Sequence, residues 1–365
     1  MPLYFHQEFD SIKTNIFFDT KTDIEDFVMK QVHRAGKHTS AAFPVTDVTL
    51  PGKHRLAIYY KTEVTPFGTS FSIRKFREDP YTVIDMIKSG TIDENIAAYF
   101  WILIENKMSS MVVGSTGAGK TTSLNAICCL MPPYNKIVTV EEVSEINLPH
   151  ENWVALLSRS GFGLDNEGEI SLFSLIKSSL RHRPDFIIVG EVRGEESYVL
   201  FQALATGHGG LCTMHADSVA SAIERLAGEP MNISPTSIPL MNCAAVVKKI
   251  RLRQSNKSSN FYRTARRMVQ VSEIIGPKTA KDIFKWNPIS DSFDHELTSS
   301  RLLNKIASDT GFTIDEIMDE FEKRKIILNW MADNNIRDYQ NVSKIVASYL
   351  NNPDKLLKKT KSTLG

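Results

Sequence analysis

The sequence predicts an α/β fold: a parallel sheet with helices on both faces, preceded by a small α+β N-terminal domain and followed by a mostly helical C-terminal region. Three observations predict it. Between residues 110 and 227, short apolar runs alternate with helix-forming segments, the pattern of a sheet buried on both faces. Before residue 76, one amphipathic segment is followed by two alternating ones. Beyond residue 299 the periodicity becomes helical.

In chain order, residues 23–37 carry Ile24, Phe27, Val28 and Val32 at helical spacing, with Gly36 as a stop. Residues 54–61 (HRLAIYYK) and 70–76 (SFSIRKF) alternate like strands, with Pro66-Phe67-Gly68 supplying turn chemistry between them. Strand-like sequence begins soon after Met1, which leaves room for a longer parent. The charged connector Arg77-Glu78-Asp79-Pro80 marks a boundary, so the expected division is 1–76, a linker at 77–92, a nucleotide domain at 93–260 and an extension at 261–365. Helices are expected at 82–88 and 93–107. Strands and helices then alternate at 110–114, 120–130, 137–141, 172–181, 186–190, 195–205, 210–215 and 218–227. Basic strand-like segments follow about Lys248, then helices to residue 350 and a Lys-rich tail from Lys355 to Lys361.

Bulk properties narrow the function. The chain has 43 Lys+Arg against 42 Asp+Glu, a net charge of +1, which argues against a dedicated nucleic-acid binder. Cys128, Cys129, Cys212 and Cys243 form no C-x-x-C pair, as expected of reduced, buried thiols in a cytosolic protein. The most apolar run, residues 96–104, is too short to span a bilayer, and the first ten residues lack a signal-peptide pattern. Work at a membrane would therefore go through partners.

The strongest local signal is Gly114-Ser115-Thr116-Gly117-Ala118-Gly119-Lys120-Thr121, which fits G-x-x-x-x-G-K-[ST], follows the strand-like SMVV and leads into the helical run 120–130, where Thr122 comes next. Glycines let backbone N–H groups turn inward around phosphates, and the helix N-terminus adds its positive end. Lys120 is expected to neutralise the β/γ-phosphates and the Thr121 hydroxyl to ligate Mg²⁺. ATP and Mg²⁺ are the expected ligands.

Ligands of a parallel sheet bind beyond the carboxyl ends of its strands. Three further strands end there in polar groups: one runs into Glu141-Glu142-Val143-Ser144-Glu145, one into Gly190-Glu191, one into His215. Gly190 stands where magnesium-holding strands usually carry aspartate. Asp185 cannot replace it, because six extended residues at ~3.3 Å each separate it from Glu191 by about 20 Å. Glu191 is expected to act on Mg²⁺ through a water or to polarise the attacking water, with Glu141, Glu142 and Glu145 completing the acid set. His215 is a γ-phosphate reporter or an ordinary strand cap; His208, in a Gly-rich loop, is a weaker nucleotide-facing candidate.

The segments GSTGAGKTT (114–122), TVEEVSE (139–145), DFIIVGEVRG (185–194) and TGHGGLCTMHADS (206–218), in this order, resemble the Walker A loop, Asp box, Walker B motif and His box of the type II/type IV secretion ATPase superfamily. The likeness covers about residues 14–248 and is nearest to the archaeal branch of archaellum-motor and pilus-assembly ATPases, with supporting runs at 34–52, 71–78 and 146–153. The resemblance implies a RecA-like P-loop motor domain in a homo-hexameric ring, with nucleotide held between it and the N-terminal domain. It also implies a polytopic membrane platform protein as partner, pilin-like subunits as indirect cargo, and a cytoplasmic location at the inner face of the membrane. By the same resemblance Glu191 is the Walker B carboxylate and Glu145 the second acid. Glu142 and Val143 depart from the family's usual aspartate and proline. The tetracysteine metal insert of bacterial members is missing, so no zinc is expected.

A transferring phosphoryl group calls for an arginine. Arg55, Arg74 and Arg77 resemble the family's nucleotide-facing arginines, while Arg159, Arg181 and Arg193 are candidates in the motor domain. Lys248, Lys249, Arg251, Arg253, Arg263, Arg266 and Arg267, with Phe261 and Tyr262, form a basic stretch read as a solvated hairpin face or subunit contact. Two rival functions are a RecA-type DNA translocase, which would use that stretch, and a nucleotide-dependent structural adaptor with negligible turnover.

Overall fold

A computed structural model describes residues 3–6, 10–159, 161, 167–253 and 262–363. Phe261 and the side chains of Arg253, Tyr262 and Lys361, which figure in the basic stretch and the tail, lie outside what is described. The chain divides into two compact units, Met1–Asp79 with Arg253–Thr264, and Pro80–Leu252 with Ala265–Gly365.

In the first unit, strands β1 (Leu3–His6) and β2 (Asp10–Lys13) form an antiparallel pair. Helix α1 (Lys21–Arg34) starts at Thr20, which forms a capping box with Asp23. Strands β3 (Val45–Thr49), β4 (Arg55–Tyr59) and β5 (Ser70–Arg74) make an antiparallel sheet. Alternation decides the faces: Leu56, Ile58 and Val48 are buried with Val28 and Val32 of α1, each worth about 1.5–3 kcal/mol of apolar burial. Arg55, Ala57 and Tyr59 take the opposite face of β4, and the register sets Arg55 opposite Arg74.

The second unit opens with α2 (Val83–Lys88) and α3 (Glu94–Glu105). Then come β6 (Ser110–Val113), α4 (Lys120–Cys128), β7 (Ile137–Glu141), β8 (Trp153–Leu157), α5 (Leu172–Ser179), β9 (Phe186–Val189), α6 (Glu196–Ala205), β10 (Gly209–Met214) and α7 (Val219–Ala227). Four strands follow: β11 (Cys243–Arg253), β12 (Tyr262–Ile274), β13 (Ala280–Asn287) and β14 (Ser292–His295). Helices α8 (Arg301–Thr310), α9 (Ile314–Asp333), α10 (Tyr339–Asn351) and α11 (Pro353–Thr363) close the chain. Among the described residues the sheet has nine strands in the order β14-β13-β12-β11-β6-β10-β9-β7-β8. It is parallel from β11 to β8 and becomes antiparallel where β12, β13 and β14 pair. Val113 aligns with Met214, and both Cys212 and Val140 align with Val189, so the loops leaving β6, β10, β9 and β7 emerge at one edge.

Two expectations need correction. The break expected between residues 260 and 261 does not separate the units, because β12–β14 extend the same sheet and the last helices share its core. Tyr99 and Trp101 of α3 are buried with Phe284, Ile327 and Val346. Arg324 of α9, 5% exposed, is held by Glu105 at 2.7 Å and Glu320 at 2.9 Å and lies over the Trp101 and Tyr349 rings. The expected linker at 77–92 contains α2, with Val83, Ile84 and Met86 buried, so from Pro80 onward it belongs to the body of the second unit. Strand β8 escaped the sequence reading because it is a short, half-exposed edge strand without clear alternation. No helix among the described residues is long and apolar enough to cross a membrane.

Candidate active site

The phosphate loop leaves β6 at Gly114 and enters α4 at Lys120. Gly117 and Gly119 have φ of +73° and +100°, the left-handed region that side chains disfavour. Gly114 is needed for space instead: a Cβ there would stand 2.4 Å from the Val247 carbonyl oxygen of β11. Ser115, Thr116 and Gly117 are exposed at the loop's tip, Ala118 is buried beneath it, and Thr121 and Thr122 open α4 at its electropositive end.

Lys120 is buried, with its ammonium 3.4 Å from the Ser115 carbonyl and 3.3 Å from each ring nitrogen of His215. Burial lowers its pKa from the ordinary lysine value, and the charges of Glu191 and Glu145 act in the opposite sense. His215 Nε2 lies 2.9 Å from Glu191 Oε1, but without the alignment of a hydrogen bond, so the buried Oε1 is left without a donor. An unsatisfied buried carboxylate oxygen is costly unless a ligand completes it. The donor set of Thr121 and Glu191 beside the loop fits Mg²⁺ held directly or through water.

The acidic loop divides its labour. Glu141, 3% exposed, accepts the Glu145 and Ile146 N–H groups at 2.9 Å each. Oε1 is thus committed to holding the loop, a structural duty beside the catalytic one expected of this residue. Glu142 is exposed and paired with Arg193. Glu145, half-buried, is the acid of this loop that acts electrostatically on Lys120. Gly190 is explained as well: a Cβ there would meet Glu141 Cγ at 3.1 Å, so the position occupied by aspartate elsewhere is left small to admit Glu141.

His208 is displaced from the site. It precedes β10, and His215 follows it, so the six residues of the strand put the two about 20 Å apart. His208 binds locally, to Thr206 Oγ1 at 3.0 Å and the Ala203 carbonyl at 3.1 Å. Asp185 shares that far edge, where it accepts from Lys107 at 2.7 Å and from the Lys136 N–H at 2.8 Å. Arg181 also precedes its strand, β9, and belongs to the same edge. Arg159 donates to the Gly168 carbonyl at 2.9 Å. Arg55 and Arg74 stand side by side in the first unit, where Arg55 is bound to Asp47 at 2.9 Å; Arg77 follows in the same unit.

Two residues beside the site, Asn125 and Glu196, were not singled out from sequence, and a third, Arg266, was read only as part of the basic stretch. Asn125 of α4 accepts the Asn147 N–H at 3.1 Å. Glu196 accepts the Arg193 and Gly194 N–H groups at 2.6 and 2.9 Å, pinning the turn after Glu191. Arg266 of β12 reaches the loop, with Nη2 3.5 Å from the Gly117 carbonyl, while its neighbour Arg267 is buried and forked onto Asp291 at 2.7 Å through two nitrogens. The only sequence signal for Asn125 was a polar residue inside the apolar run from Leu124 to Ile127.

The sequence profile of the type II/IV secretion system protein family matches residues 41–281, which contain all four motif segments. The chain belongs to that family. Among similar proteins by sequence, the uncharacterized protein MJ0900 of Methanocaldococcus jannaschii is 36% identical over 353 residues, 94% of this chain and 62% of that protein. This chain thus spans less than two thirds of that relative's length. The uncharacterized protein MJ1287 of the same organism is 43% identical over 240 residues, 66% of this chain and 87% of that one. Among solved structures, the Legionella pneumophila ATPase DotB is 16% identical with a TM-score of 0.49, covering 93% of this chain and 87% of DotB.

Proposed function

We propose that this member of the type II/IV secretion family is an ATP-hydrolysing motor subunit that works in a homo-hexameric ring and drives assembly of a pilus-like or archaellum filament through a membrane platform protein. One observation carries the enzymatic part. His215 links two other segments at the carboxyl edge of the parallel sheet, with Lys120 3.3 Å to one side of it and Glu191 2.9 Å to the other, beside a loop shaped for phosphates. Family membership supports the secretion part.

Magnesium, when bound with the nucleotide, would neutralise phosphate charge and fix the oxygens in place. The chain's own groups do the rest. Backbone N–H groups of residues 115–121 bind the polyphosphate, and Lys120 turns onto the β/γ oxygens, whose negative charge favours its protonated form. Glu191 orients the attacking water, with Glu145 as the second acid. His215, between Lys120 and Glu191, registers whether a γ-phosphate is present. Arg55, Arg74 and Arg77 are proposed as interfacial arginines supplied within the ring, since Arg55 and Arg74 share the sheet face that the first unit's core leaves free. Work at the inner face of the membrane follows from the platform partner.

The DNA-translocase alternative leaned on the basic stretch, and it loses support there: Arg267 is buried against Asp291 and Arg266 lies beside the phosphate loop. The test is turnover against protein concentration, with and without DNA, alongside particle mass by light scattering. Magnesium-dependent turnover that rises with hexamer formation and ignores DNA is expected, and Lys120→Ala and Glu191→Gln should each reduce it at least 100-fold, roughly the cost of removing a key charged group from such a site. Undiminished turnover in both variants, or an absolute DNA requirement, would overturn the proposal.

A further inference from the structure

We infer that Asn125 is a positioning residue for the acidic loop, one that makes Glu145 move as a single body with Lys120. The inference rests on the reading of Glu145 as an acid of the site. Residues 144–150 form neither helix nor strand, so their backbone groups have no ladder to join. Yet the segment is an interior one: Ile146, Leu148 and His150 are buried. Buried N–H groups must find acceptors, and here three successive ones find side chains. Glu145 N–H and Ile146 N–H bind Glu141 Oε1 from β7, and Asn147 N–H binds Asn125 Oδ1 from α4.

The two acceptors come from elements with different duties. Glu141 ends the strand that leads into the loop. Asn125 stands five residues after Lys120 on the helix that the phosphate loop opens, and it is 4% exposed within an otherwise apolar run of Leu124, Ala126, Ile127 and Cys128. An amide in such a place is costly without a partner. Its partner is the backbone on the far side of Glu145, so the loop is pinned before and after that residue's Cα–Cβ bond. The strand β9 contributes room, because Gly190 lets Glu141 lie against its end. Any displacement of α4 on nucleotide binding is thereby passed to Glu145 without slack, and the acid stays in reach of the charge on Lys120.

Asn125 touches neither phosphate nor metal in this scheme. It acts through Glu145, which separates it from a binding residue and from a mere core residue. Removing it should lower kcat and leave nucleotide affinity alone.

The experiment uses the full chain, steady-state ATP turnover and the affinity of a fluorescent ATP analogue, with a melting curve for each variant. Asn125→Ala is expected to lower kcat about tenfold with affinity within about twofold, the pattern of a lost positioning contact. Gly190→Ala, which pushes on Glu141 from the other side, should reproduce the kcat-only loss and serves if Asn125→Ala does not fold. In a Glu145→Gln background, Asn125→Ala should cost nothing further. Loss of affinity together with kcat, or a full additional loss in the Glu145→Gln background, would each overturn the inference. Undiminished turnover in Asn125→Ala beside an impaired Glu145→Gln overturns this inference alone, whereas undiminished turnover in Glu145→Gln overturns the acid assignment beneath it.

Discussion

Replacing Gly114 with alanine isolates a purely steric demand of the phosphate loop. The new Cβ would stand 2.4 Å from the Val247 carbonyl oxygen and 3.2 Å from the Ala118 Cβ. A carbon–oxygen contact needs roughly 3.3 Å, so the loop and β11 must part by about 0.9 Å. Neither side yields cheaply, because Val247 is held in a parallel ladder whose register pairs Val246 with Val113 immediately before the loop. A misplacement of about 1 Å near a reacting group costs about 100-fold in rate, or about 2.7 kcal/mol of barrier. Overpacking of this kind also costs about 1–3 kcal/mol of stability, a few degrees in melting temperature. Gly117→Ala is the internal comparison. Nothing lies within 4 Å of its Cβ, and only the φ of +73° opposes it, at about 1–2 kcal/mol of local strain. ATP turnover and calorimetric melting of the two variants should therefore rank Gly114→Ala as the more damaging on both counts. Turnover of Gly114→Ala within threefold of the parent, or a larger loss in Gly117→Ala, would refute the steric account.

The two histidines should separate cleanly in the same assay. His215→Ala removes a contact to Lys120 and one to Glu191 and should cost about 10–100-fold in kcat/KM, the worth of a hydrogen bond to a charged group, whereas His208→Ala should leave turnover within about twofold. Equal losses would contradict the edge assignment. Acid stability probes the Arg267–Asp291 fork. The Arg267 guanidinium holds the Asp291 carboxyl below its ordinary value of 3.8, against a smaller opposing effect of burial. The native state therefore binds fewer protons than the unfolded chain just below that value, so this contribution is fully present above it and is lost as pH falls through the folded-state pKa. Asp291→Asn should cost about 1–3 kcal/mol at neutral pH, a buried pair discounted for the exposure of its acid, and should flatten the acid limb of the stability curve measured by urea titration. An unchanged limb would show that the fork contributes nothing.

The phosphate loop, the strand–helix alternation and the edge that gathers Glu191, His215 and the acidic loop were legible in the sequence because each depends on local pattern: glycine spacing, apolar runs of strand length, and polar residues at the ends of those runs. The same local reasoning placed Asp185 at the far end of its strand, and applied to His208 it would have removed that residue too, since both precede their strands. What the sequence could not settle was which side chain meets which backbone. Glu141, Glu142 and Glu145 are equivalent as letters, and only the packing commits the first to two N–H groups and the second to Arg193 and lets the charge of the third act on Lys120. Asn125 and Glu196 went unread, and Arg266 was read only as part of a basic stretch, because each gains its role from one particular backbone partner, at separations of 22, 3 and 149 residues. The C-terminal helices looked like an extension because their periodicity shows an apolar stripe without showing what covers it, and the fold decides that α3 and the sheet do. Local chemistry determined that a phosphate-binding edge exists; long-range packing, which no spacing encodes, decided how its charges are held.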